Sequence, residues 1–257
     1  MADLALYQYV LIGIIFIWSG FVRSGLGFGG AVLSLPFLLL VHNQALVFLP
    51  LISVQLLIFS SITLILNNRS SQATGRRHAS TVNWSYLRYM LGIMIVPKLL
   101  GVFGLITLPA DTLSIIIFSI VSVYAISYIA NKPFKSNSKF IDALFLIVGG
   151  YISGTSLIGA PLIIAVAAQH IAREQLRDTL FALWFIFVGI KLGAFIYAGI
   201  DLQLIHHLWL LPCAAIGHVI GLRFHQHMLK AETPLFFRFL GLTLLVISLL
   251  GLWKALS

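Results

Sequence analysis

The chain has 257 residues, 60% of them hydrophobic and only 9% charged, with a formal net charge of +9. Soluble domains carry about 25% charged residues, so this composition excludes a soluble globular fold and indicates an all-α polytopic membrane protein. The basic excess reads as loop charge under the positive-inside rule, and with no soluble basic face a nucleic-acid partner is excluded.

The opening MADLALYQYV lacks the positive region of a secretory signal, so the first apolar segment is expected to stay in the mature protein. Ten apolar segments follow, at about 6–22, 29–41, 45–66, 84–107, 112–130, 140–152, 158–171, 179–199, 206–222 and 235–253. A span needs ~20 residues. The second, sixth and seventh fall short of this, which gives 8–10 transmembrane or re-entrant helices in a single domain covering 1–257.

From Tyr7 to Val41 the sole charge is Arg23, next to SGLGFGGAVLSLP at 24–36. A glycine run there breaks the helix and bares backbone N–H groups. A new helix is expected to start over Phe28 to Val32, with a partial positive charge at its N-terminus. Arg23 is either a topology marker at the inner face or, if the break dips deeper, a group facing the same spot.

The third segment carries Gln55 near its middle, with Ser53, Ser60 and Ser61 close by. Gln55 either contacts a substrate or bonds a neighbouring helix. Lys98 follows Pro97 in the fourth segment and Lys191 lies in the eighth. Each sits about 8–10 residues from the outer end, roughly 12–15 Å deep. Such lysines either attract an anion into a cavity or snorkel to the interface. Asp142, beside Lys139, is expected to form an interface pair. Gly189/Gly193 and Gly217/Gly221 have the spacing of close helix packing, as does Gly150/Gly154, although Gly154 also belongs to a break.

Basic residues set the orientation. With the N-terminus outside, inner loops take every Lys and Arg except Lys98, Lys191 and Lys254, notably in the loops at 67–83 and 131–139. Asp3, Asp111 and Asp201 fall outside.

The halves resemble each other. SGLGFGGAVLSLP from Ser24 matches SGTSLIGAPLII from Ser153, with Gly30 on Gly159 and Ala31 on Ala160. ADTLSIIIF from Ala110 matches AETPLFFRF from Ala231. Two repeats are expected, at about 6–130 and 139–255. Five segments each is an odd number, so the repeats insert in opposite directions, as in many secondary transporters. The second break is expected to start a helix over Gly159 to Leu162, with Pro161 in its first turn. The candidate substrate-binding residues are Ser24, Gly25, Gly27, Gly29, Gly30, Gln55, Lys98, Ser153, Gly154, Gly159, Pro161 and Lys191. Their occupant is a small anion, held in a protein whose other partner is the lipid bilayer.

These residues carry a family resemblance. GLGFGG…P in the first half, GAP in the second, and the closing IGHVIGLRFHQHMLK…FRFLGLTLLVISLLGL resemble the sulfite exporter TauE/SafE family over nearly the whole chain. The resemblance implies a multi-pass transporter of the bacterial inner membrane that exports sulfite or a small organosulfur anion. The second element departs from the usual glycine-rich form, having Leu157 and Ile158 between Gly154 and Gly159.

The alternatives are an intramembrane enzyme or a non-transporting subunit. No nucleophile elbow, HExxH or paired membrane carboxylate supports an enzyme, and no cofactor is expected. A scaffold has no need of matched helix breaks. Cys213, the one cysteine, allows no internal disulfide. No metal site is expected, because His206 and His207 fall outside while His225 and His227 fall inside and on different helix faces.

Overall fold

The computed structural model describes residues 4–26, 30–73, 81–132, 134–136, 138–230 and 234–256. Gly27 and Gly29, with Phe28, lie outside the described residues, as do Arg76 and Arg77 of the basic loop.

Ten helices account for nearly all of the described residues, one for each expected apolar segment. In the first half they are α1 (Leu6–Leu26), α2 (Leu35–Val41), α3 (Ala45–Ala73), α4 (Trp84–Thr107) and α5 (Ala110–Ile129). In the second they are α6 (Lys139–Ser156), α7 (Ala160–His170), α8 (Arg173–Tyr197), α9 (Leu204–Lys230) and α10 (Pro234–Leu256). Local chemistry sets several starts. Asn83 caps α4 by accepting from the Tyr86 amide, and Ser138 caps α6 by accepting from the Ile141 amide. Pro161 stands in the first turn of α7, where its missing N–H costs nothing.

Among the described residues, seven helices are long and apolar enough to cross a membrane: α1, α3, α4, α5, α8, α9 and α10. Their outward faces are apolar, as lipid requires; Phe103 on α4 and Phe239 on α10 are both mostly exposed. The chain is a polytopic membrane protein.

The second segment returns to the end where α1 began, although α2 has only 7 residues. Three contacts trace the path. Ser19 donates to the Gly30 carbonyl, the Trp18 indole to the Leu33 carbonyl, and Gln8 to the Val41 carbonyl. Irregular chain over 30–34 thus runs back alongside α1 before α2 finishes the crossing. The α6–α7 hairpin closes similarly, with His170 Nε2 2.9 Å from Asp142 Oδ2.

The second-half helix starts where expected, with α7 beginning at Ala160 after its N-cap Gly159, whereas two other expectations on the breaks are corrected. The first-half helix begins at Leu35, not between Phe28 and Val32, because residues 30–34 form turns. The second break comes later than Ser153-Gly154. Helix α6 runs on to Ser156 and stops where Leu157 takes a left-handed φ of 62°. The two glycines there stay helical because they serve close packing. On α6, a Cβ at Gly154 would lie 2.8 Å from Gly101 Cα and one at Gly150 3.0 Å from the Met94 carbonyl, so α6 lies parallel to α4. On α9, Gly217 faces the Ile17 carbonyl and Gly221 the Phe21 carbonyl, so α9 lies parallel to α1. Packing was expected of Gly217/Gly221. For Gly189/Gly193 the expectation fails, since no atom comes within 4 Å of either added Cβ. Asp142 pairs with His170, not with the exposed Lys139.

Candidate anion-binding site

A cavity opens where α3 and α8 pack together. Its walls are apolar: Ile52 and Leu56 from α3, and Phe181, Trp184 and Phe187 from α8. Into it project Ser19 and Arg23 of α1, Gln55 and Ser60 of α3, and Ser153 of α6. No carboxylate lines it among the described residues.

Arg23 defines one side. Its side chain is buried, with 6% exposure. Nη1 donates to the Gln55 carbonyl at 3.2 Å, and the guanidinium carbon lies 4.5 Å from the centre of the Phe59 ring. These two contacts fix the plane of the group. Nη2 is buried and has no hydrogen-bond partner among the described residues. Gln55 is in the same condition, with both side-chain amide atoms buried and unpartnered. Buried polar groups are nearly always satisfied, so one cavity holding two such groups has the character of a site awaiting a ligand.

Lys98 stands behind the wall formed by Ser153 and Phe187. It is fully buried, and its ammonium donates to the Ser153 carbonyl at 2.8 Å and to the Ser153 hydroxyl at 3.2 Å. It also lies 4.8 Å from the centre of the Phe187 ring. Lys191 is fully buried too, and its ammonium has no hydrogen-bond partner among the described residues. Neither lysine snorkels. Both turn inward, and Lys98 meets the cavity wall through Ser153 and Phe187.

Of the remaining expected residues that the structure describes, Gly30 lines this space, while Ser24, Gly25, Gly154, Gly159 and Pro161 do not. Gly30 lines the cavity; a Cβ there would come 3.0 Å from Arg23 Cβ. Gly159 precedes α7 and packs on the Gly149 carbonyl, while Gly154 packs on α4. Gly25 packs on α9, where a Cβ at Gly221 would come 3.0 Å from its amide. Ser24 faces away, toward α9: its hydroxyl pairs with His218 Nδ1, and its carbonyl accepts from Arg177 Nη2 at 3.3 Å. The His218 ring lies 4.8 Å from Phe59. Phe59 thus holds both Arg23 and His218.

Sequence reasoning left Arg23 unresolved and missed Arg177, His218 and the aromatic wall. A signal existed for two of these. Arg23 is the one charge in a long apolar run, and Phe181, Trp184 and Phe187 recur every third residue along α8.

A polytopic helical bundle that buries an arginine in an acid-free cavity, with a buried lysine bonded to its wall, has the makings of a membrane transporter for anions. The sequence model of the family described as Sulfite exporter TauE/SafE matches residues 11–251. The chain belongs to that family, a family of membrane transporters. No curated protein and no solved structure matches the chain.

Proposed function

We propose that the protein is a secondary transporter that exports a small anion, such as sulfite or an organosulfonate, across the bacterial inner membrane. The observation that carries this is the Arg23 guanidinium, fixed by Gln55 and Phe59 and presenting an unpartnered nitrogen in an acid-free cavity. A buried cation without a counter-ion carries a desolvation cost of several kcal/mol, which a bound oxyanion offsets by charge-assisted hydrogen bonds. Arg23, Gln55, Ser153, Lys98 and Lys191 are proposed to hold the anion, with Gly30 admitting it close to the backbone. Ser24, Gly25, Gly154, Gly159 and Pro161 are proposed to shape the two broken hairpins.

The transporter is a single domain of two inverted repeats. Support comes from the packing, whose largest contacts are kept when each first-half helix is exchanged for its second-half counterpart, although α2 packs on α5 and α10 in a way that α7 does not. The α1–α9 contact becomes α6–α4, α1–α2 becomes α6–α7, and α3–α9 becomes α8–α4, while α3–α8 and α5–α10 map onto themselves. Ser24 with His218 likewise matches Ser153 with Lys98. The basic loops at 67–83 and 131–139 face the cytoplasm. Opposed repeats around one central cavity suit alternating access and give a scaffold or an enzyme no advantage.

The test is efflux of radiolabelled sulfite and of short alkanesulfonates from proteoliposomes. Saturable efflux above protein-free vesicles supports the reading, and none for any anion overturns it.

A further inference from the structure

We infer that Lys98 and Lys191 form a proton site coupled to the anion site, so that each anion crosses together with a proton. This rests on the transporter reading above. Lys191 stands four residues beyond Phe187 on α8, on the same helix face. The Lys98 ammonium lies 4.8 Å from the centre of the Phe187 ring, one helical turn from Lys191, and the two charges act on each other. Both are fully buried. Ser153 accepts from Lys98, whereas Lys191 has no partner.

Two adjacent ammonium groups inside a membrane protein repel each other, and each has lost its hydration. An anion in the cavity, against Phe187 and Ser153, supplies the missing countercharge. When it leaves, one amine passes its proton to water and the other keeps its bonds to Ser153. No other bond changes. The anion and the proton bind and leave as a unit because each lowers the cost of the other.

No other described group relieves this pair. Helix α8 packs against α3, α4, α6 and α7. Of these, α4 brings Lys98, which acts on Lys191, and α3 lines the cavity with the uncharged Gln55 and Ser60. Asp142 of α6 and His170 of α7 are joined to each other beside the Tyr86 ring. That pair lies toward the opposite end of α8, as do Arg177 and Asp178, which stand about 20 Å along the helix from Lys191 at 1.5 Å per residue. Arg23 and His218 belong to the far side of the cavity, on Phe59.

The experiment measures proton uptake by the purified, detergent-solubilised protein in weak buffer as methanesulfonate, sulfoacetate or sulfate is added. Methanesulfonate and sulfoacetate are fully ionised near neutrality and sulfate very nearly so, whereas sulfite itself titrates there and would obscure the count. Calorimetry follows binding in parallel. The expected result is about one proton taken up per anion bound, with affinity falling by up to about tenfold per pH unit as pH rises. Lys191→Arg, which keeps the charge permanently, is expected to bind the anion without proton uptake, and Lys98→Met is expected to lose most of the uptake. Binding without proton uptake in the wild type overturns the coupling and leaves the transporter reading intact. Uptake that survives both lysine variants but vanishes in His218→Gln also overturns it. No binding of any anion overturns the transporter reading itself, and the coupling with it.

Discussion

Lys98 of α4 is held to Ser153 of α6 by two hydrogen bonds from one ammonium, 2.8 Å to the carbonyl and 3.2 Å to the hydroxyl. The same carbonyl also accepts from the Leu157 amide at 3.2 Å, at the end of α6, so the ammonium uses the oxygen's second lone pair. A lysine is thereby fixed against the wall of the cavity by the end of a helix. Ser153→Ala removes the weaker bond alone and is expected to raise KM for efflux by a few-fold. Lys98→Met removes the charge, and hydrogen bonds to charged groups contribute about 1.5–3 kcal/mol, so efflux is expected to fall roughly 10–100-fold. Size-exclusion profiles in detergent check that both variants fold.

Arg23 is expected to resist conservative replacement. Its guanidinium donates to the Gln55 carbonyl, stacks on Phe59 and keeps a further nitrogen free. A lysine ammonium is a point charge with no planar fork and cannot do all three. Arg23→Lys is therefore expected to lose most of the efflux, at least about tenfold in kcat/KM, and Arg23→Met more. Activity close to wild type in Arg23→Lys contradicts a bidentate role and reduces Arg23 to a local charge.

The glycines divide into two classes that thermal unfolding separates. Gly217 faces the Ile17 carbonyl with no room for a methyl group, and Gly101 faces the Tyr151 carbonyl in the same way. Alanine at either position forces the paired helices apart, and overpacking costs about 1–3 kcal/mol, so the unfolding temperature is expected to fall by several degrees. Gly189 and Gly193 have open space around them. Alanine there gains helix propensity of up to about 1 kcal/mol and is expected to leave the unfolding temperature unchanged or slightly raised.

Orientation is testable through the single cysteine. In a Cys213→Ala background, cysteines at exposed Asp201 and exposed Lys132 are offered a membrane-impermeant maleimide on whole cells. The charge distribution leads us to expect labelling of Asp201→Cys from outside, and of Lys132→Cys only after permeabilisation. The reverse pattern inverts the assignment of inner and outer faces.

The helices were legible because lipid demands long apolar runs and because charge collects in the loops between them; each apolar segment has its helix. The ends of the breaks were not. Glycine signals that a helix can bend or that another can approach, and the sequence does not distinguish the two. Gly25 and Gly154 mark close parallel packing with α9 and α4, so α1 and α6 run through them. The second break depends instead on Leu157, a residue whose side chain gives no hint of a left-handed φ. Burial was the other hidden quantity. Arg23 stands at a segment end in sequence, yet Gln55 and Phe59, more than a helix away along the chain, enclose it. Lys98 and Lys191 were recognisable as intramembrane charges, but that Lys98 has Ser153 and Lys191 has no partner follows only from how α4, α6 and α8 meet.

The most direct measurement is efflux from proteoliposomes loaded with radiolabelled sulfite, comparing wild type, Arg23→Met and protein-free vesicles. Saturable efflux from the wild type that collapses toward the protein-free rate in Arg23→Met is the expected result. Equal efflux from the wild type and from Arg23→Met would contradict the assignment of the cavity as the substrate site.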